Sequence, residues 1–432
     1  MSDIIKTATP EITRPLVKTL TPWIGFGVLL LVLPNIFSTN SSLYTMNLMG
    51  IFIIFALSYN MLLGQGGMLS FGHAVYFGLG GFMSVHFMNY IEDGAFVFPM
   101  YLVPIFGGLI GLVFAIIIGS FSTRRAGTVF AMISLGVGEL MAASSLIFVA
   151  FFGGEEGVSG NRTTGPELMG INFGQDIHIY YLIAAWVFVT VMLMYLFSRT
   201  PAGRMANAVR DNAERAEFVG YSQRKVRFVS FCASGFFAGI AGGLFALNFE
   251  IVTEENLNAL TSGTVLLMAF IGGVGFFIGP IVGAVVFTLL QSILSNYTDI
   301  WQLYVGVLFV LTVMYVPQGL TGIIMMHTAA YRMKRLGVLV LPYLRIGIPA
   351  FAMLSGIAAF LETIHHMRSA VEGDTSMSLM GIEFDSHGVV AWIVIVALVF
   401  VGGYLTRTQL PQLRDAWGTA NKPPSPAEGG AP

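Results

Sequence analysis

Apolar stretches long enough to cross a bilayer, parted by short polar or glycine-rich joints, follow one another along most of the chain. A helix rising about 1.5 Å per residue needs roughly 20 apolar residues to cross a hydrocarbon core about 30 Å thick. On that measure the pattern predicts spans near 23–38, 43–64, 68–90, 99–121, 127–152, 178–197, 227–249, 300–317, 339–361 and 388–406. Residues 261–296 are equally apolar but are cut by Gly272-Gly273-Val274-Gly275 and Gly279-Pro280. They are expected as two shorter segments, 261–274 and 279–296, joined by a tight turn. The predicted fold class is therefore all-α: a polytopic membrane protein of about 10–12 transmembrane or half-membrane helices.

Composition supports this. Only 10% of the 432 residues are charged and 55% are hydrophobic, whereas a soluble domain carries about 25% charged residues. Such a chain cannot cover a water-facing surface, so lipid is its main partner, and no nucleic-acid partner is expected. With the N-terminus inside, the predicted cytoplasmic pieces hold eighteen of the 21 basic residues, Lys6, Arg14 and Lys422 among them. Of the other three, Arg345 falls near the inner end of its span, and Arg162 and Arg368 lie on the outer side. Basic residues resist translocation, so this asymmetry predicts both termini in the cytoplasm of a bacterial inner-membrane protein. Residues 1–22 are polar and prolyl and do not read as a signal peptide. Cys232 is the single cysteine, so no intrachain disulfide can form.

The organisation expected from these features has four parts. They are a cytoplasmic segment 1–22, a membrane core 23–325 with a cytoplasmic loop 198–227, an added helix pair within 326–406, and a disordered cytoplasmic tail 407–432 containing Lys422-Pro423-Pro424-Ser425-Pro426. Two stretches of the core look alike. Leu63-Gly64-Gln65-Gly66-Gly67-Met68-Leu69-Ser70-Phe71-Gly72-His73 and residues 271–283 are both glycine-punctuated at the inner end of a descending span. Breaks at Gly64, Gly66 and Gly67, and at Gly272, Gly273, Gly275, Gly279 and Pro280, suggest two similar halves in parallel repeat. Interrupted helices at matching positions point to a transport pathway; close helix packing is the alternative use of such glycines.

Few residues inside the spans are polar enough to carry chemistry. Glu139 lies mid-span, where a carboxylate is costly unless it faces protein or water, so it is either a pathway group or a partner to a neighbouring helix. Tyr59, Asn60, Gln65, Ser70 and His73 surround the first break as candidate pathway walls or packing groups. No catalytic constellation occurs: there is no His-Glu-x-x-His and no Gly-x-Ser-x-Gly, and His365-His366 lacks convergent partners for a metal. No cofactor or metal is expected.

The loop 198–227 is the richest polar segment. Asp211 or Asn212 can cap a short helix from Ala213 to Val219, and Gly220 can end it. The pattern Glu214-Arg215-Ala216-(x)3-Gly220 resembles the Glu-Ala-Ala-x-x-x-Gly coupling loop of ABC-importer permeases, with Arg215 departing at the second place. Gly203-Arg204, Ala208-Val209-Arg210-Asp211-Asn212, Gly220-Tyr221-Ser222, Asn60-Met61-Leu62-Leu63-Gly64-Gln65-Gly66-Gly67-Met68-Leu69-Ser70-Phe71-Gly72-His73 and Gly272-Gly273-Val274-Gly275-(x)3-Gly279-Pro280 resemble the branched-chain amino acid permease family, in its longer, M-type membrane subunit. The resemblance covers roughly residues 43–325. It implies an ATP-driven importer with a second homologous permease subunit, two cytoplasmic ABC ATPases and a periplasmic solute-binding protein. It further implies that Arg210, Asp211, Glu214, Ala216 and Gly220 couple to the ATPase. The chain has no Gly-x-x-x-x-Gly-Lys-Ser/Thr loop, so ATP hydrolysis is assigned to separate chains. Branched-chain or related amino acids are the expected cargo. Urea, short amides or aromatic acids are alternatives, and a self-sufficient secondary transporter is the rival class.

Overall fold

The computed structural model describes residues 16–95, 97–166, 173–369, 375–379 and 382–421. Lys6, Arg14 and Lys422 lie outside them. The described residues are almost wholly helical. In chain order the helices are α1 (Leu16–Ile36), α2 (Asn40–Asn60), α3 (Ala74–Glu92), α4 (Val103–Ser122), α5 (Thr128–Ile147), α6 (Val149–Phe152), α7 (Asp176–Arg199), α8 (Pro201–Asp211), α9 (Ala213–Phe218) and α10 (Gln223–Phe249). They continue with α11 (Ala259–Gly272), α12 (Gly279–Leu294), α13 (Trp301–Tyr315), α14 (Gly319–Arg332), α15 (Gly337–Ser369) and α16 (Val389–Ala420). Two small antiparallel sheets pair β1 (Val158–Ser159) with β2 (Ile251–Val252) and β3 (Ser376–Leu379) with β4 (Ile382–Asp385).

Seven helices among the described residues are long and apolar enough to cross a membrane: α2 with its π-helical extension to Gln65, α4, α5, α7, α10, α15 and α16. The pair α13 and α14, bent by 49° at its break, would make an eighth. The described part of α1 and helices α11 and α12 are shorter apolar segments, as expected for residues 261–296. α3 is not among the seven, because Gly78, Gly80, Gly81, Ser84, His86 and Asn89 dilute its apolar content; it is enclosed by protein instead.

Several expected boundaries move. The 1–22 segment is already helical from Leu16. The 127–152 span ends at Ile147, with Phe148 and Gly153 (φ +74°) isolating the single turn α6. A helix, α14, occupies the expected loop 318–338, because Pro317 bends the chain without ending helical order beyond it. The tail expected to be disordered from 407 is helical through Pro411 to Ala420, since Ala416, Trp417 and Ala420 pack on Ala330 and Leu339. Compactness divides the chain into Met1–Leu289 and Leu290–Pro432, so α13 and α14 lie in the same compact unit as α15 and α16.

In the first unit α10 is the axial helix, packing on α2, α3 and α4. Glycine makes this approach possible. A Cβ on Gly239 would press into the Gly107 backbone, and one on Gly80 would lie 2.7 Å from the Gly239 Cα. Small residues let helix backbones meet where lipid gives no hydrophobic drive for association. Polar pairs bind the same helices: Ser234 Oγ donates to the Ser58 carbonyl at 2.6 Å, and Asn47 Nδ2 donates to Asn248 Oδ1 at 2.9 Å. In the second unit, Gly356 and Gly402 play the same part between α15 and α16. Tyr304 Oη donates to Glu362 Oε1 at 2.8 Å, joining α13 to α15. Gly239→Leu is expected to cost about 1–3 kcal/mol or more of unfolding free energy in detergent through overpacking. Gly263→Ala, whose Cβ meets nothing within 4 Å, should hold or gain up to about 1 kcal/mol; thermal unfolding of the purified variants measures both.

Candidate functional site

The site grows from a helix that stops inside the bundle. α2 loosens into a π-turn over Met61–Gln65, and from Gly66 to His73 the chain is non-helical before α3 begins. Gly67 adopts φ +64°, which side-chain-bearing residues avoid. Non-helical backbone enclosed by protein must find partners for its polar groups there, and several are met here. The Phe71 amide donates to Ser134 Oγ of α5 and the Ala74 amide to Ser262 Oγ of α11, each at 3.0 Å. The Ser70 carbonyl accepts from Tyr59 Oη at 3.1 Å. His73 Nε2 meets Ser58 Oγ at 2.9 Å, while its ring stacks on Phe55 between Tyr59 and Tyr76.

Tyr59, Asn60, Gln65, Ser70 and His73 are therefore brought together, but as buried supports of the break. Burial of this kind matches the packing alternative open to these residues in the sequence: Tyr59 Oη takes the Ser70 carbonyl and the other side chains enclose the break. Four enclosed polar atoms around the break, Asn60 Oδ1, Gln65 Oε1, Ser70 Oγ and His73 Nδ1, have no hydrogen-bond partner among the described residues. Glu139 stands apart. It is exposed on α5, next to the buried Gly138 that touches Gly72, with no hydrogen-bond or ion-pair partner among the described residues.

The second glycine break meets the first. A Cβ on Gly64 would fall into the Asn60 side chain and lie 2.5 Å from the Val274 carbonyl oxygen. Gly272 and Gly279 close on each other's backbone, as do Gly283 and Met268, folding α11 back on α12. Gly273 turns that corner at φ +113°. Gly66 and Gly275 also lie within these turns, and Pro280 follows Gly279 in the first turn of α12.

The segment 198–227 forms a two-helix elbow. Thr200 Oγ1 accepts the Gly203 amide, Pro201 takes the first helical position of α8, and Gly203, Ala206 and Val209 are buried. Of the two capping candidates it is Asn212 that caps α9, its Oδ1 accepting the Arg215 amide at 2.9 Å. At the far end Tyr221 N donates to Ala216 O and Gly220 N to Glu217 O, at 3.0 and 2.9 Å, with Gly220 at φ +92°. This is a Schellman stop. Ala216 is buried, Glu214 and Glu217 are exposed, and Phe218 and Val219 are 90% and 75% exposed.

Arg210 connects the elbow to the break. Its Nε and Nη2 hold Asp211 Oδ1 at 2.9 and 2.8 Å, and its Nη1 donates to the Gly64 carbonyl. Its Cγ lies 2.8 Å from where a Gly67 Cβ would stand. Gly67 is thus required twice, for its left-handed φ and for room beside the arginine stem. Neither this link nor the roles of Ser134 and Ser262 was legible in sequence, because lone serines in apolar helices carry no pattern.

Arg162, one of the two basic residues expected on the outer side, also has a structural role. Its Nη1 donates to the Asn248 carbonyl at 2.9 Å, its Nη2 to Asp176 Oδ1 at 3.3 Å, and its amide to Glu250 Oε1 at 2.8 Å. It joins the end of α10 to the start of α7, beside the β1–β2 pairing that ties residues 158–159 to 251–252. An arginine out of place in the charge pattern was the available signal.

The family model described as the branched-chain amino acid transport system permease component matches residues 41–316. The chain is similar to the high-affinity branched-chain amino acid transport system permease protein LivM of Escherichia coli, at 25% identity over 293 residues, 62% of this chain and 67% of that protein. It is similar to the probable branched-chain amino acid transport permease protein LivM of Methanocaldococcus jannaschii, at 24% over 323 residues, 63% and 90% of the two chains. The fructose import permease protein FrcC of Rhizobium meliloti is 24% identical over 235 residues, 50% and 62% of the two. No solved structure matches the chain. The family match takes in both glycine breaks and the elbow, and leaves out α15 and α16. With well over half its length so matched and its helices laid out for the bilayer, this multi-pass membrane protein belongs to the ABC-importer permease family of branched-chain amino acid transport.

Proposed function

We propose that the chain is one of two membrane subunits of an importer in which separate ATPases grip the elbow and move the glycine breaks, carrying a branched-chain or related amino acid inward. The observation that carries this is the Arg210 link. A guanidinium on α8 holds the carbonyl that the π-turn frees at Gly64, so displacement of the elbow reaches the break directly. The exposed Phe218 and Val219, flanked by Glu214 and Glu217, form the surface that an ATPase cleft would cover. On this reading Arg210 and Asp211 act inward on the break, while Glu214 and the Gly220 stop shape the docking face. Both termini and the elbow lie in the cytoplasm, and the Arg162-braced rim faces a periplasmic binding protein. Glu139, exposed at mid-span on α5, faces the second membrane subunit or the path between the two.

Cysteine labelling tests the orientation: Phe218→Cys in a Cys232→Ser background should react with a membrane-impermeant maleimide only in inverted vesicles. Reaction in intact spheroplasts would overturn the assignment. In proteoliposomes with the partner subunits and a loaded binding protein, Arg210→Met should retain the ATPases and hydrolyse ATP. Its uptake should fall about 5–150-fold, the range of a coupling of 1–3 kcal/mol. Gly220→Leu, strained by about 1–2 kcal/mol at positive φ, should instead weaken ATPase capture. Unchanged uptake by both, or uptake without any ATPase, would remove the reading. Competition of labelled leucine against fructose and urea identifies the solute; displacement by fructose alone would reassign the cargo to sugars.

A further inference from the structure

Between α15 and α16 of the C-terminal unit runs an apolar groove of about 410 Å³, with Ile348, Pro349 and Ala352 on one wall and Ala397, Leu398 and Leu405 on the other. It extends along α16 from Val394 to Leu405, a rise of about 16 Å. That is half of a hydrocarbon core about 30 Å thick, the depth of one leaflet. On the proposed orientation its Leu405 end reaches the inner surface.

That end carries positive charge. Arg345 stands one turn before Ile348 and Pro349 on the same face of α15. Its Nη1 donates to Gln412 Oε1 across the gap between the helices at 3.4 Å, and it has no ion pair among the described residues. Arg407 and Arg414 are exposed on the neighbouring turns of α16, with Asp415 the one acidic group there. One turn beyond Leu405, Gln409 Oε1 is enclosed without a hydrogen-bond donor among the described residues. Acyl chains are as apolar as the groove walls, so the groove alone selects nothing; basic groups between helices at the cytoplasmic surface select the headgroup.

We propose that this groove is a site for one anionic phospholipid of the inner leaflet, its acyl chain along Ala352, Ala397 and Leu398 and its phosphate at Arg345. The inference rests on the proposed orientation and not on the solute carried. Its test leaves transport aside: the full-length chain, delipidated in detergent, is given phosphatidylglycerol or phosphatidylcholine of equal chain length and read by native mass spectrometry. Phosphatidylglycerol should be retained in preference. Arg345→Gln should lower that retention about five-fold, and Arg345→Lys should keep most of it. Arg332→Gln should leave it unchanged, and Ala397→Phe, which fills the groove from an exposed position, should abolish it. Equal retention of the two lipids overturns the site. So does an Arg332→Gln loss matching that of Arg345→Gln, which would indicate diffuse surface charge, or undiminished binding in Ala397→Phe. Lipid-free self-association abolished by Ala397→Phe would assign the groove to a second copy instead.

Discussion

A peptide backbone taken out of helical order and enclosed by other helices must find hydrogen-bond partners within the protein, because no water is there to supply them. The stretch from Gly66 to His73 is placed under that constraint, and much of the first unit is arranged to meet it. α2 contributes Tyr59 and Ser58, α5 contributes Ser134 and α11 contributes Ser262. The elbow contributes Arg210, which takes the Gly64 carbonyl. Elements far apart in sequence are thus fastened to one short segment. A movement of any of them is felt at the break, and a movement of the break is felt by all.

The glycines follow from the same geometry. Those of α3, α4 and α10 let three backbones approach closely enough for the break to be enclosed, while Gly64 and Val274 bring the two interrupted segments into contact. Rigid packing surrounds a locally under-satisfied centre. At the other end of α10, Arg162 closes the frame by taking the carbonyl of Asn248.

The C-terminal unit is built on different terms. Its helices expose apolar side chains over most of their length, and a knot of polar ties joins α14, α15 and α16 at one end. There Tyr343 Oη receives Trp417 Nε1 at 3.0 Å and meets His327 Nε2 at 2.9 Å. This knot keeps α16 helical through Pro411 and turns what its composition suggested was a tail into a packed element. The matched family region stops at residue 316, before α15 and α16, whose helices are long and apolar enough to cross a membrane.

The sequence by itself determined the solvent and therefore the fold class. Apolar length, scarcity of charge and the one-sided placement of arginines depend on the bilayer and need no knowledge of packing. Local chemistry was equally legible where it acts within a few residues: Asn212 and Gly220 bound α9, and glycine runs break α2 and separate α11 from α12. What the tertiary structure alone decided is which distant groups meet. The buried state of His73, the exposure of Glu139, the serines that take orphaned amides and the grip of Arg210 on Gly64 depend on contacts between residues 15 to nearly 190 positions apart. A single polar side chain in an apolar helix has no periodicity to betray its partner, and only the packed chain shows where its hydrogen bond goes.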